Sequence, residues 1–449
     1  MRDAQDVMIA MPRPLPMRAL VWLVAAAAAV FALARLLAPG SAPDLPIRQS
    51  AAGAPSYGPA LAQIDRKLEG LRGLVADHPD DWLMQERVAH QLMSRARLTG
   101  DFTDYAEAQA ALDRGFSSAT PGAGPHLTQA ALALSLHRLG TAEKMLDAVD
   151  HYAVPPEAEV RAGATAMRGD IYFYRGRYPQ ALAEYRGLAK IGERPDQRMA
   201  IFWSKMGRPD NALAAVGRVE RSGLIPGEAL AQLALLRGTI ELQRGHWDAA
   251  DAAFAEANKR FPGWWLVEAH QAQMLALRGQ YAAAIRAFEG LAARNDDPAL
   301  RDAIAGLYRA QGDYARTELW ADRAGQGWAE RLKLLPEAAL GHAVEHELAF
   351  GSPQRALDLA HQDFRLRPHG ATAIALGWAL IANNRPADAL RVIDAVNRSS
   401  WQSAEQHLVA ARAHGLLGHS EAADEEQDKA LAINPHALDP TATLLWYGH

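Results

Sequence analysis

Residues 231–262 read AQLALLRGTIELQRGHWDAADAAFAEANKRFP. Two helical patterns flank Gly245. Gly238 in the first and Ala250 in the second are small, so two helices can approach closely there. Gly245 permits a left-handed turn between them. Trp247 and Phe254 supply aromatic bulk, Ala257 a further small position, and Pro262 ends the second helix. The turn residue then returns at Gly279, Gly312, Gly351, Asn384 and Gly418, on a period near 34 residues. A fixed period in this range marks a repeat architecture.

Further copies extend the array. Gly169, Tyr172, Gly176, Tyr178, Ala181 and Tyr185 form one; Gly279, Tyr281, Ala284 and Phe288 another. Tyr308, Gly312 and Tyr314 form a weaker copy in which Thr317 replaces the alanine. Gly377, Asn384, Ala389 and Ile393 follow, then Gly418, Ala423, Ala430 and Pro435. Gly207 with Ala212, Gly140, and Gly100 with Phe102 mark degenerate units. The pattern resembles the tetratricopeptide repeat, with small residues at positions 8, 20 and 27, a turn glycine at 15 and aromatics near 11, 17 and 24. Glu241 departs from it at the aromatic position 11. The turn spacings 176→207, 207→245 and 312→351 are 31, 38 and 39 residues, so linking loops differ in length. The expectation is an all-α right-handed superhelical solenoid over 60–435, with about ten helix pairs from roughly Asp81 and one leading helix near Leu61–Val75.

Composition narrows the function classes. The chain has 449 residues, 49% of them hydrophobic, and a net charge of −5. No basic footprint or motif for nucleic acid is present. Seven of the 47 basic residues are lysine and the rest arginine, which fits a GC-rich bacterial genome. The absence of cysteine excludes disulfides, thiolate metal sites and cysteine nucleophiles.

Residues 19–38 carry an apolar run, ALVWLVAAAAAVFALA, interrupted by Arg35 and extended by Leu36-Leu37-Ala38. Twenty helical residues span about 30 Å, the thickness of a bilayer core. Trp22 suits an interface, and Arg35 can snorkel. The alternative is a cleaved signal peptide, with Ala32-Leu33-Ala34 as its cleavage form. Arg2, Arg13 and Arg18, in the short segment 1–18, precede the run, which places the repeats outside the cytoplasm, in the periplasm of a Gram-negative cell. Residues 39–59, rich in proline and glycine, read as a tether. The tail 436–449 holds Trp446-Tyr447, a cap for the last repeat or a docking peptide. Trp264-Trp265 reads as a wedge between adjacent pairs.

The sharpest catalytic match is His342-Ala343-Val344-Glu345-His346, the H-x-x-E-H form of inverted zinc peptidases, with Glu421 or Glu425 as a distal carboxylate. Repeats surround it on both sides, and Ala343 and Val344 occupy packing positions. The reading is therefore of no catalytic, cofactor or metal site. No phosphate-binding loop or nucleophile elbow appears.

The resemblance implies that the first helix of each pair lines a concave surface. Carried onto this chain, that surface holds Arg87, His90, Ser94, Arg97, His137 and Arg138 at the N-terminal end. Asp170, Phe173, Tyr174, Gln232, Gln243 and Gln273 follow in the middle, then Arg309, Glu345, Trp378 and Arg412. The first group is basic and able to clamp acidic groups of a partner. The expected function is a membrane-tethered scaffold for a protein client. Alternatives are an envelope assembly factor holding one client, such as an apocytochrome or a polymer synthase, a zinc peptidase, and a cytoplasmic regulator.

Overall fold

The computed structural model describes residues 56–120, 122–152, 154–190, 195–222 and 225–441. The apolar run 19–38, most of the tether and Trp446-Tyr447 lie outside the described residues. Among those described there are 21 α-helices and no strand, only an isolated bridge between Met206 and Gln402. No described helix is long and apolar enough to cross a membrane.

Helix α1 (Tyr57–Asp77) leads, and ten antiparallel pairs follow. They are α2 (Trp82–Thr99) with α3 (Phe102–Ser118), α4 (His126–Ser135) with α5 (Leu139–Asp150), and α6 (Ala158–Tyr174) with α7 (Tyr178–Lys190). Next come α8 (Asp196–Lys205) with α9 (Pro209–Glu220), α10 (Gly227–Gln243) with α11 (Trp247–Arg260), and α12 (Trp265–Leu277) with α13 (Tyr281–Ala292). The series ends with α14 (Pro298–Ala310) and α15 (Tyr314–Leu334), α16 (Pro336–Ala349) and α17 (Pro353–Leu366), α18 (Gly370–Ala382) and α19 (Pro386–Asn397), and α20 (Ala404–Leu416) and α21 (Ser420–Ile433). Gly58 and Pro59, read as tether, instead lie in the first turn of α1, where proline is tolerated.

Local chemistry sets these boundaries. Asp81, Asp101, Asp297, Asp313 and Ser352 cap helix N-termini through their side chains, and Ser403 with Gln406 forms a capping box. Proline opens α9, α14, α16, α17 and α19. Turn residues Gly100, Gly176, Gly207, Gly245, Gly279, Gly312, Asn384 and Gly418 all have positive φ. Gly140 is not a turn residue: the left-handed residue of its unit is His137, at φ 60°. Gly351 likewise lacks a positive φ.

Packing within a pair follows from one steric relation. A Cβ placed on Gly238 would stand 2.3 Å from the Phe254 ring, and one on Gly169 would stand 2.4 Å from Tyr185. The aromatic of the second helix thus fills the space that the missing side chain leaves on the first. Ala181, Ala250, Ala284 and Ala389, at position 20, are fully buried. Thr317 is tolerated there because its hydroxyl donates to the Asp313 carbonyl. Glu241 departs from the aromatic pattern because it partners His246 and Arg244 at the turn.

The pairs wind so tightly that successive superhelical turns touch. The Trp264 and Trp265 indoles both donate to the Leu98 carbonyl, at 3.3 and 3.0 Å. Asn295 donates to the Thr99 carbonyl, and Arg331 to that of Gly100 while lying 4.4 Å from the Phe102 ring centroid. The orphan carbonyls at the C-terminus of α2 are therefore capped by side chains from pairs far along the chain. Trp264-Trp265 joins superhelical turns, not merely neighbouring pairs. Further along, Gly370 N–H donates to the Tyr178 hydroxyl, Gln402 N–H donates to the Lys205 carbonyl, and His436 stacks on Trp247 at 3.9 Å. Many of these contacts join residues about 190–200 positions apart, so one superhelical turn takes about six pairs.

Candidate functional site: the inner wall of the superhelix

On α2, positions 87, 90, 94 and 97 follow helical spacing and share one face. Arg87 is exposed; His90, Ser94 and Arg97 are partly exposed. The Ser94 hydroxyl donates to the His90 carbonyl, and Arg97 donates to the Ser94 hydroxyl at 3.0 Å. Burial raises the pKa of Glu228, at the start of α10, and the Arg97 charge partly offsets it.

Elsewhere much of the expected concave surface is closed. His137, Asp170, Phe173, Tyr174, Gln273 and Trp378 are buried, so their side chains are not offered to a partner in this conformation. The other superhelical turn covers His137 and Tyr174, through Arg367 and His369, whereas Asp170 is covered by its own and the adjacent pair. Asp170 accepts from the Tyr185 hydroxyl at 2.8 Å and from Arg198 at 3.1 Å. Burial raises its pKa, against the opposing effects of Arg198 and Tyr185. All of α18 from Gly370 to Ile381 is buried, Trp378 included. Its composition, GATAIALGWALI, permits this because it carries no charged residue. Arg138 is partly exposed but pairs with Glu337 of the next turn. Arg309 donates to the Ala349 carbonyl and lies over Phe350, and Arg412 is partly exposed. Gln232 and Gln243 are also partly exposed; Gln243 accepts from Ser204.

The H-x-x-E-H segment lies on α16 in packing contacts. His346 Nδ1 lies 2.7 Å from Asp302 Oδ1, and the Trp328 indole donates to the other Asp302 oxygen at 2.6 Å. Burial by itself lowers the His346 pKa, but the Asp302 carboxylate outweighs it and holds it above the usual value. His342 stacks on Trp328 at 5.1 Å, and Glu345 has its pKa pushed well up by burial and by the charges of Asp302 and Asp363. Glu421 and Glu425 are exposed on α21. Among the described residues no group of three His, Asp or Glu side chains is placed to hold a metal ion.

The repeat register is now visible atom by atom. Small residues on first helices receive the aromatics of second helices, left-handed turns join them, and ten such pairs stack in order. The fold is that of a tetratricopeptide repeat array. No family model matches the chain, and no curated protein matches it. Similar solved structures include a tetratricopeptide repeat protein from Parabacteroides merdae, at 16% identity over 57% of this chain and 98% of that one, with a TM-score of 0.34. The APC/C hetero-tetramer Cut9–Hcn1 is similar at 14% identity over 87% and 93%, TM-score 0.31. Pseudomonas aeruginosa PilF is similar at 16% over 46% and 94%, TM-score 0.28. The fold assignment rests on the repeat geometry described above.

Two features of this tetratricopeptide array had no local sequence signal. One is the buried polar group His137, Asp363, Arg367 and His369 between superhelical turns. The other is a cleft of about 470 Å³ lined by Glu289, Asp296, Arg301, Trp320, Arg323 and Glu330 along α13 to α15.

Proposed function

We propose that the protein is an interaction scaffold that holds a protein client on the inner face of its first pair. The observation that carries this reading is the line Arg87, His90, Ser94 and Arg97, which keeps solvent access along one helix face, while His137, Asp170, Phe173, Tyr174, Gln273 and Trp378 of later pairs are buried. Two arginines on one helix face suit carboxylates of an extended acidic segment. Exposed ion pairs contribute only about 0–1 kcal/mol each, so a single change is expected to be nearly silent. The double variant Arg87→Ala/Arg97→Ala should recover several-fold less client in co-purification with the full-length chain, at unchanged helical circular dichroism. Equal recovery removes this face from the function.

The scaffold reading includes a membrane tether through residues 19–38, supported by their length and apolar character. The arginines before the run favour repeats outside the cytoplasm. A reporter fused after His449 that is active only in an oxidising compartment should be active; activity of a cytoplasmic reporter alone reverses the orientation.

A further inference from the structure

We propose that the second superhelical turn is a closure over the inner wall of the first, and that the two turns part along the seam of contacts between them. The proposal concerns the conformation of the array and does not depend on which client it holds.

The seam combines polar contacts with an aromatic cluster, in which the Phe173 and Tyr178 rings lie 6.2 and 6.1 Å from Trp401 and Tyr174 lies 5.4 Å from His369. Arg367 donates to His137 Nε2 at 3.1 Å, and His137 Nδ1 then donates to the Glu337 carbonyl at 3.3 Å. Arg138 pairs with Glu337 at 3.2 Å. The Tyr178 hydroxyl and the Lys205 carbonyl each accept one backbone N–H from the opposite turn. Within a pair, by contrast, helices pack along their length through alanine and aromatic side chains.

Behind the polar contacts lie Phe173, Tyr174, His369 and Trp401, all buried. Neither ring nitrogen of His369, nor the indole N–H of Trp401, has a hydrogen-bond partner among the described residues. A permanent core normally pairs such groups. Parting the turns gives them access to water and uncovers an aromatic wall. The architecture makes this separation feasible: apart from the contacts between turns, each pair packs on its neighbours along the chain, so a small change in angle at each of several interfaces adds up to an opening at the seam.

Two turn glycines provide a wedge. A Cβ at Gly176 would stand 2.6 Å from the Pro368 carbonyl oxygen, and one at Gly207 would stand 2.6 Å from Gln402 Cβ. Both have positive φ, which asparagine tolerates. Gly279 has the same conformation with nothing within 4 Å, and serves as the control.

The experiment compares the wild type with Gly176→Asn, Gly207→Asn, Arg367→Ala and Gly279→Asn. The chain has no cysteine, so nitroxides can be placed cleanly at Lys144→Cys on α5 and Arg365→Cys on α17. Electron–electron distance measurements should give a short, closed distance in the wild type and in Gly279→Asn. The two wedge variants and Arg367→Ala should shift population to longer distances, with small-angle scattering showing a larger radius of gyration at unchanged helical circular dichroism. The proposal is overturned if the wedge variants keep the closed distance. It is equally overturned if both wedge variants lose helicity together with the seam, which makes the seam part of one indivisible core.

Discussion

Arg367 and His137 are separated by 230 positions in the chain and by 3.1 Å in space. Arg367 is itself buried and held by both oxygens of Asp363. The guanidinium only donates and has no acceptor, so His137 must present an unprotonated Nε2 to it. This one contact fixes a histidine tautomer, joins two turns of the superhelix and closes the inner wall.

That geometry has a pH signature. Burial, followed by the Arg367 charge, holds the His137 pKa well below 6.5; His369, beside Arg367 and Lys205, is lowered for the same reasons. The folded state therefore stays neutral at these sites where the unfolded chain takes up protons. Their contribution to stability is complete above about pH 6.5 and declines as pH falls below it. His137→Asn, which suits φ 60°, should flatten the fall in urea midpoint between about pH 6.5 and 5. His137 also faces His342 and the Glu337 carbonyl, so the flattening should be partial. An unaltered slope counts against this histidine.

Gly238→Ala sets two effects against each other. Alanine favours an exposed helix by about 1 kcal/mol over glycine. Here the added Cβ meets the Phe254 ring at 2.3 Å, and overpacking costs about 1–3 kcal/mol. The net change should be destabilising. Gly187→Ala on α7, with nothing within 4 Å, should instead stabilise by roughly 0.5–1 kcal/mol. Chemical denaturation of both reads the difference, and stabilisation by Gly238→Ala would falsify the pair register.

Trp265→Phe keeps the aromatic bulk and removes the indole donor to the Leu98 carbonyl. Trp264 still donates to the same oxygen, so the loss should be near 1 kcal/mol, rising to about 1–3 kcal/mol for the double change to Phe, which leaves the carbonyl unpaired. Amide exchange should speed up at the C-terminal end of α2 and not at α19. Faster exchange at α19 alone would show that the indoles do not cap α2.

Asp302→Asn should destabilise the fold at pH 6, because it removes the carboxylate that keeps buried His346 protonated and leaves the histidine to lose its proton. The raised His346 pKa means that the ion pair stabilises fully below about pH 6.5 and is lost as pH rises through the folded-state value. The penalty should therefore shrink by pH 9. Equimolar zinc should leave the melting temperature of the wild type unchanged, since His346 is held by Asp302. A zinc-dependent rise that vanishes in His342→Ala would revive the peptidase alternative.

The alternation of small residues, turn glycines and aromatics was legible because it is local. Gly238 and Phe254 are sixteen positions apart, and their contact depends on one turn and two helices of ordinary geometry. Capping residues such as Asp81 and Asp297 also act locally, over two or three residues. The unit containing Gly140 was misread because His137 takes the left-handed conformation that glycine usually supplies. Helical spacing puts Arg87, His90, Ser94 and Arg97 on one face of α2, but it could not show that Asp170, Tyr174 and Trp378 would be covered.

By itself, then, the sequence determined the pair: which segments become helices, where they turn, and which residue of one helix receives which of the next. Only the tertiary structure decided the winding. The rotation from each pair to the next is small and set by many side-chain contacts, and about six such rotations accumulate before the chain meets itself. A few degrees at each step separate an open groove from a closed one. Thus the meeting of Leu98 with Trp265, and of His137 with Arg367, has no counterpart in any local pattern.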